Sequence, residues 1–199
     1  MSADNLIPIS DEQAKLVHEF LDIFGDLPKD LVGLLAGDRV KVARAERLAI
    51  LWANAKKRLE DRGIAHPEPP SLKLALPILD AAADENNQEL QDLWASLLAA
   101  AMDPKRRDWV RQSFIQIVKQ LDPFDVLVLK AIADNGGAQW SPNGRNAIMA
   151  RTQGSMSDVL ASFGHLEKLD CIYFAGAASP KINPYLTPLG TLLMNTVSG

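Results

Sequence analysis

The chain has 199 residues, 47% hydrophobic and 23% charged, an ordinary globular composition long enough for one large domain or two small ones. A net charge of −4 argues against a general nucleic-acid binder, and the lone Cys171 excludes an intramolecular disulfide. No apolar run approaches the ~18 residues of a membrane-spanning helix, and Met1 to Ile9 lack the basic start and apolar stretch of a secretory signal, so a cytoplasmic protein is expected.

Residues 1–9 read as a flexible leader. Ser10 is an N-cap with Gln13 at the capping-box position, and Ala14, Val17, Phe20, Leu21 and Phe24 recur at helical spacing until Gly25. Pro28 opens a short second helix that Gly37 stops. Asp38 caps the longest helix, with Val40, Ala43, Leu48, Leu51, Trp52, Ala55 and Leu59 on one face and Gly63 as terminator. Three prolines between Ala65 and Ser71 make an extended connector. The next helix, Leu72 to Ala83, either kinks at Pro77 or begins near it. Asn86-Asn87 marks a turn before a helix from Gln88 to Met102, whose stripe is Leu90, Leu93, Trp94, Leu97, Leu98 and Ala101. Asp103-Pro104 breaks it, and a further helix from Asp108 to Leu121 is expected to carry Trp109, Phe114, Ile117 and Val118 inward.

Asp122-Pro123 is the candidate boundary between a helical domain at 10–121 and a second domain at 122–199. Beyond it come an apolar helix from Pro123 to Asp134, a loop around Trp140 and a short helix from Arg145 to Thr152. A longer helix follows, capped by Ser155, with Met156, Val159, Leu160, Phe163, Leu166 and Leu169 expected to face the core. Cys171 to Phe174 reads as a strand, Ile182 to Leu186 as a return strand interrupted by Pro184, and Thr187-Pro188 as the start of a last helix. Helix, short helix, longer helix, two-stranded ribbon and closing helix is the order of a winged helix. The fold class expected is therefore mainly α: an N-terminal multi-helix bundle followed by a winged-helix-like domain with a short two-stranded wing.

Chemistry-bearing motifs are sparse. His18, His66 and His165 have no partner at a spacing that assembles a metal site locally, and no phosphate loop, dinucleotide fingerprint or nucleophile elbow occurs, so no catalytic, cofactor or metal site is assigned. Cys171 lies in an apolar run and reads as a buried small hydrophobe. Asp80, Asp84, Glu85 and Glu89 cluster near one turn, as an acid–base pair would, or as a solvated helix end does. Between Asp38 and Arg62, eight Lys or Arg face four Asp or Glu. Arg44, Arg47, Arg58 and Arg62 share a helix face, which serves either as a site for a polyanion or acidic partner, or as a solvated face offset by the acidic remainder. In the longer C-terminal helix, Asp158, Glu167 and Asp170 outnumber Lys168, a poor set for reading bases. Arg145, Arg151 and Lys181 are the phosphate contacts available if that domain binds DNA.

Several phrases carry a family resemblance. They are Gly37-Asp38-Arg39-Val40, Leu59-Glu60-Asp61-Arg62-Gly63-Ile64 with the proline connector, and Leu72-Lys73-Leu74-Ala75-Leu76-Pro77-Ile78-Leu79-Asp80-Ala81-Ala82. Then come Glu89-Leu90-Gln91-Asp92-Leu93-Trp94-Ala95-Ser96-Leu97-Leu98-Ala99, Met102-Asp103-Pro104, and Phe114-Ile115-Gln116-Ile117-Val118-Lys119-Gln120-Leu121. From about Gly33 to Lys130 the chain resembles the abortive-infection alpha family, all-helical bacterial proteins associated with phage resistance. The resemblance implies a defence role and brings no catalytic motif. In its strongest phrase, Gln91 and Asp92 point away from the stripe, where they can bond the connector backbone.

The function expected is a non-enzymatic phage-defence protein that works through a protein partner, a homo-oligomer being one form of that contact. The alternative is a winged-helix DNA-binding regulator, against which the acidic longer helix argues.

Overall fold

In the computed structural model, which describes residues 10–24, 39–134, 144–174 and 183–198, the chain is mainly helical with a two-stranded antiparallel sheet near its C-terminus. Its contacts divide between Gln116 and Ile117 into two units. The leader, the short helix after Pro28, the loop around Trp140 and the tip of the ribbon fall outside the described residues. Among the described residues, no helix is long and apolar enough to cross a membrane.

In the first unit the capping box forms as its spacing predicts: Ser10 Oγ accepts the Gln13 N–H at 3.3 Å, and Gln13 Oε1 accepts the Ser10 N–H at 3.2 Å. It opens α1 (Asp11–Phe24). Helix α2 (Arg39–Asp61) packs against α1, α3 (Leu72–Asp84) and α4 (Gln88–Met102). It buries Leu48, Leu51, Trp52, Ala55 and Leu59. Gly63 ends it at φ +71°, and the N–H groups of Gly63 and Ile64 return to the carbonyls of Glu60 and Leu59 at 2.8 and 2.9 Å. That left-handed backbone is why glycine stands there. Helix α3 begins at Leu72 and runs through Pro77. Asn87 caps α4, its Oδ1 accepting from the Glu89 and Leu90 N–H groups at 2.9 and 3.2 Å. From Leu93 to Met102 every residue of α4 is buried, and Trp94 is 2% exposed. A helix apolar on all sides belongs in a core.

Two positions expected inside are outside. Instead of one helix from Asp108, a 3₁₀ turn at Arg107–Trp109 precedes a short α5 (Gln112–Val118), and Trp109 is 59% exposed. Val110 takes the inward place against Ala100, Ala101 and Leu74. Adjacent residues on a tight turn cannot both face the core. In the second unit Leu160 is 42% exposed, because its helix buries Val159, Ser162, Phe163 and Leu166. Those positions follow i, i+3, i+4, i+7, and one residue along a helix is about 100° around it.

The second unit comprises α6 (Pro123–Asp134), α7 (Gly144–Thr152), α8 (Met156–Lys168), β1 (Ile172–Phe174), β2 (Pro184–Leu186) and α9 (Pro188–Val197). Helix α6 packs on α7, α8, α9 and β2. The strands pair Ile172 with Leu186, Tyr173 with Tyr185 and Phe174 with Pro184. Pro184 is tolerated because it stands first in its strand. Thr187 caps α9, its Oγ1 accepting the Gly190 N–H at 2.9 Å while its hydroxyl donates to the Asp170 carbonyl. A Cβ on Gly190 would run into the Cys171 carbonyl, so glycine is what lets α9 lie against the start of the ribbon.

Candidate functional site

Arg44, Arg47 and Arg58 are placed by α2, a helix whose opposite flank is core, and each reaches a neighbouring element. Arg44 pairs with Asp80 at 2.9 Å and Asp84 at 3.3 Å on α3. Arg47 donates to the Ala83 carbonyl at 2.9 Å, at the C-terminal end of α3. Arg58 pairs with Asp92 at 2.5 Å and donates to Ser96 Oγ at 2.9 Å, both on α4. Arg62, with a side chain 10% exposed, lies 4.0 Å from the buried carboxylate of Asp103, which Arg106 also approaches at 3.7 Å. Burial, and then repulsion from Arg106, hold the Arg62 guanidinium below its ordinary range.

The acidic cluster is absorbed by the same arrangement. Asp80 and Asp84 are counter-ions to Arg44, and Glu85 Oε1 accepts the N–H groups of Asn86 and Asn87 at 2.9 and 2.7 Å. Gln91 and Asp92 bond elsewhere than the proline connector. Gln91 Nε2 donates to the carbonyls of Ala82 and Glu85 at 2.6 and 2.8 Å, and Asp92 holds Arg58. The connector takes its bond from the α4 terminus instead, Glu68 N–H donating to the Met102 carbonyl at 3.1 Å.

A shallow cavity of about 490 Å³ lies between α1, α2 and the connector, with Ile23, Trp52, Leu59 and Pro67 among its walls. Glu19 and Lys56 bridge α1 and α2 at 2.6 Å, and that hydrogen bond raises the Lys56 amine above its ordinary value. Phe20 packs on Trp52 with ring centroids 5.2 Å apart and the planes tilted by 43°.

In the second unit, Arg151 pairs with Asp134 at 2.6 Å, Arg145 is half-buried, and Lys181 lies outside the described residues. The fold also assembles a group that local spacing hides. Asp125, 2% exposed, accepts from Ser162 Oγ at 2.6 Å and from the Asp122 N–H at 2.9 Å, and pairs with His165 Nδ1 at 2.7 Å. Asp122, Asp125 and His165 bring potential metal ligands within 4.8 Å of one another. Both Asp125 oxygens already serve a helix cap and two side chains, which accounts for the cluster without an ion. Ser162 donates to Asp125 and not to the imidazole, so the three are not arranged as a nucleophilic relay. Asp125 and His165 are forty residues apart in the chain, and no short-range spacing signals their meeting. Burial pushes the Cys171 thiol up to about 12, so it stays protonated and unreactive near neutral pH.

The family model described as abortive infection alpha matches residues 46–187, a span that takes in α3 to β2 entire and most of α2. No curated protein and no solved structure matches the chain.

Proposed function

The chain belongs to the abortive infection alpha family, and on that premise we propose that it defends a bacterial cell against phage from the cytoplasm, by binding another protein and without catalysis of its own. The observation that supports a protein contact is the outer face of α8. Leu160 stands exposed there, beside Ala161, Gly164 and the ring of Phe124, at a shallow cavity of about 550 Å³. An apolar centre with a charged rim of Asp158 and Lys168 is the composition of a protein interface.

We read the second unit as winged-helix-like, on the order α6, α7, α8, β1, β2, α9. In that reading α8 holds the position of the helix that reads DNA. Its outward residues include Asp158, Leu160 and Glu167, with Lys168 the base among them. Hydrogen bonds from the Ser155 hydroxyl and N–H hold the Asp158 carboxyl below the usual carboxylate range, which favours its charged form on this face. Such a face repels phosphate and suits a protein. The same element order favours the second reading, a DNA-binding regulator, which would use Arg145, Arg151 and Lys181 on the backbone.

Plating efficiency across a phage panel, on cells expressing variants with unchanged melting temperature, separates the readings. Leu160→Asp is expected to abolish protection, and the double change Arg145→Ala, Arg151→Ala to leave it intact. The reverse pattern, together with nanomolar binding to the gene's own promoter at physiological salt, would replace the protein-contact reading with the regulator.

A further inference from the structure

The break that ends α4 is followed by Lys105-Arg106-Arg107-Asp108-Trp109-Val110-Arg111, four bases in seven residues around a tryptophan. The turn is held rigidly. Asp103 Oδ1 accepts the Lys105 N–H, and the Asp103 carbonyl accepts those of Arg106 and Arg107, all at 2.9 Å. Trp109 N–H returns to the Arg106 carbonyl at 2.8 Å, and buried Val110 anchors the segment on Ala100 and Ala101. What this scaffold displays is an indole 59% exposed, more than any other large hydrophobic side chain among the described residues. Arg107 pairs with Glu68 and Arg106 with Asp103, while Lys105 and Arg111 are exposed and have no ion-pair partner among the described residues.

We propose that this turn is a binding site for single-stranded nucleic acid, an unstacked base lying on Trp109 while Lys105 and Arg111 meet the flanking phosphates. Base–aromatic stacking is indifferent to sequence and needs one uncovered ring, and a basic surround supplies the backbone contacts. A duplex keeps its bases stacked away from such a platform, and the turn offers no helix for a groove. A lipid surface would need a broad apolar face. Here the indole is flanked along the chain by exposed Arg107, Asp108, Arg111, Gln112 and Ser113. This site belongs to the first unit and the α8 contact to the second, and the two share no residue, so either can fail without the other.

The test is fluorescence anisotropy of the full chain with labelled oligo-dT and oligo-rU of about 15 nucleotides, a length chosen to cover a site of ~4–16 nucleotides. A dissociation constant in the micromolar range, weakening with added salt, is expected. Trp109→Ala is expected to weaken it about tenfold or more, and Trp109→Phe to restore part of the loss. Changing Lys105 and Arg111 to Ala should flatten the log–log salt dependence by about 0.7 for each lost phosphate contact. No binding to either oligonucleotide would overturn the proposal. So would binding that Trp109→Ala leaves unchanged, equal binding to poly-glutamate, or Trp109-dependent binding to anionic vesicles without binding to the oligonucleotides.

Discussion

Helix α2 and the turn at residues 105–111 are both rich in Lys and Arg, and they lie in the same unit. On α2 the guanidinium groups of Arg44 and Arg58 reach carboxylates on α3 and α4 and Arg47 reaches the Ala83 carbonyl of α3, while just past the end of α2 Arg62 lies beside buried Asp103. Their charge is spent inside the unit on helix packing. In the turn, Lys105 and Arg111 stand exposed beside Trp109. Composition alone ranks the two regions alike. What separates them is which bases meet acids: Arg44, Arg58 and Arg62 lie against carboxylates, whereas in the turn Arg106 and Arg107 do, and among the described residues Lys105 and Arg111 do not.

The largest effect should come from the helix that receives Arg58. Trp94→Ala is expected to lower stability by about 3–5 kcal/mol in urea unfolding, the range for truncating a large buried aromatic. A loss under ~1 kcal/mol would mean that α4 is not core, and the latches on it would lose their meaning. Next comes Asp103, which joins the two regions. Its carboxylate faces Arg62 from α2 and accepts the Lys105 N–H of the turn. Asp103→Asn removes the charge that Arg62 and Arg106 approach and should cost about 1–3 kcal/mol by the same measurement. The smallest effect should be Trp109→Ala, within about 0.5 kcal/mol of the parent, as for exposed positions with no special role. A loss of several kcal/mol there would show the indole to be covered in solution.

Much of the fold was legible because its signals are local. The capping box at Ser10, the Ser155 and Asn87 caps, the Gly63 stop and the α4 stripe each act within a turn or two of helix. Trp109 and Leu160 were misread for a related reason: each lies next to a residue, Val110 or Val159, that claims the inward position. Periodicity counts apolar residues without ranking neighbours. The partners of Arg58, Gln91 and His165 were not legible, since they depend on which helices meet and at what height. Asp125 and His165 needed α6 and α8 to pack before their chemistry existed. The basic turn did carry a signal, four bases around one tryptophan. It was hidden by assigning that tryptophan to the core.

The most direct test of the contrast between the two regions is charge reversal in each, read by urea unfolding of the full chain. Arg58→Glu sets a carboxylate against Asp92 and leaves Ser96 Oγ without its donor, and a loss of about 2 kcal/mol or more is predicted. Arg111→Glu should change stability by no more than about 0.5 kcal/mol, because its exposed side chain has no ion-pair partner among the described residues. Equal losses at the two sites, or a larger loss at Arg111 than at Arg58, would contradict the account.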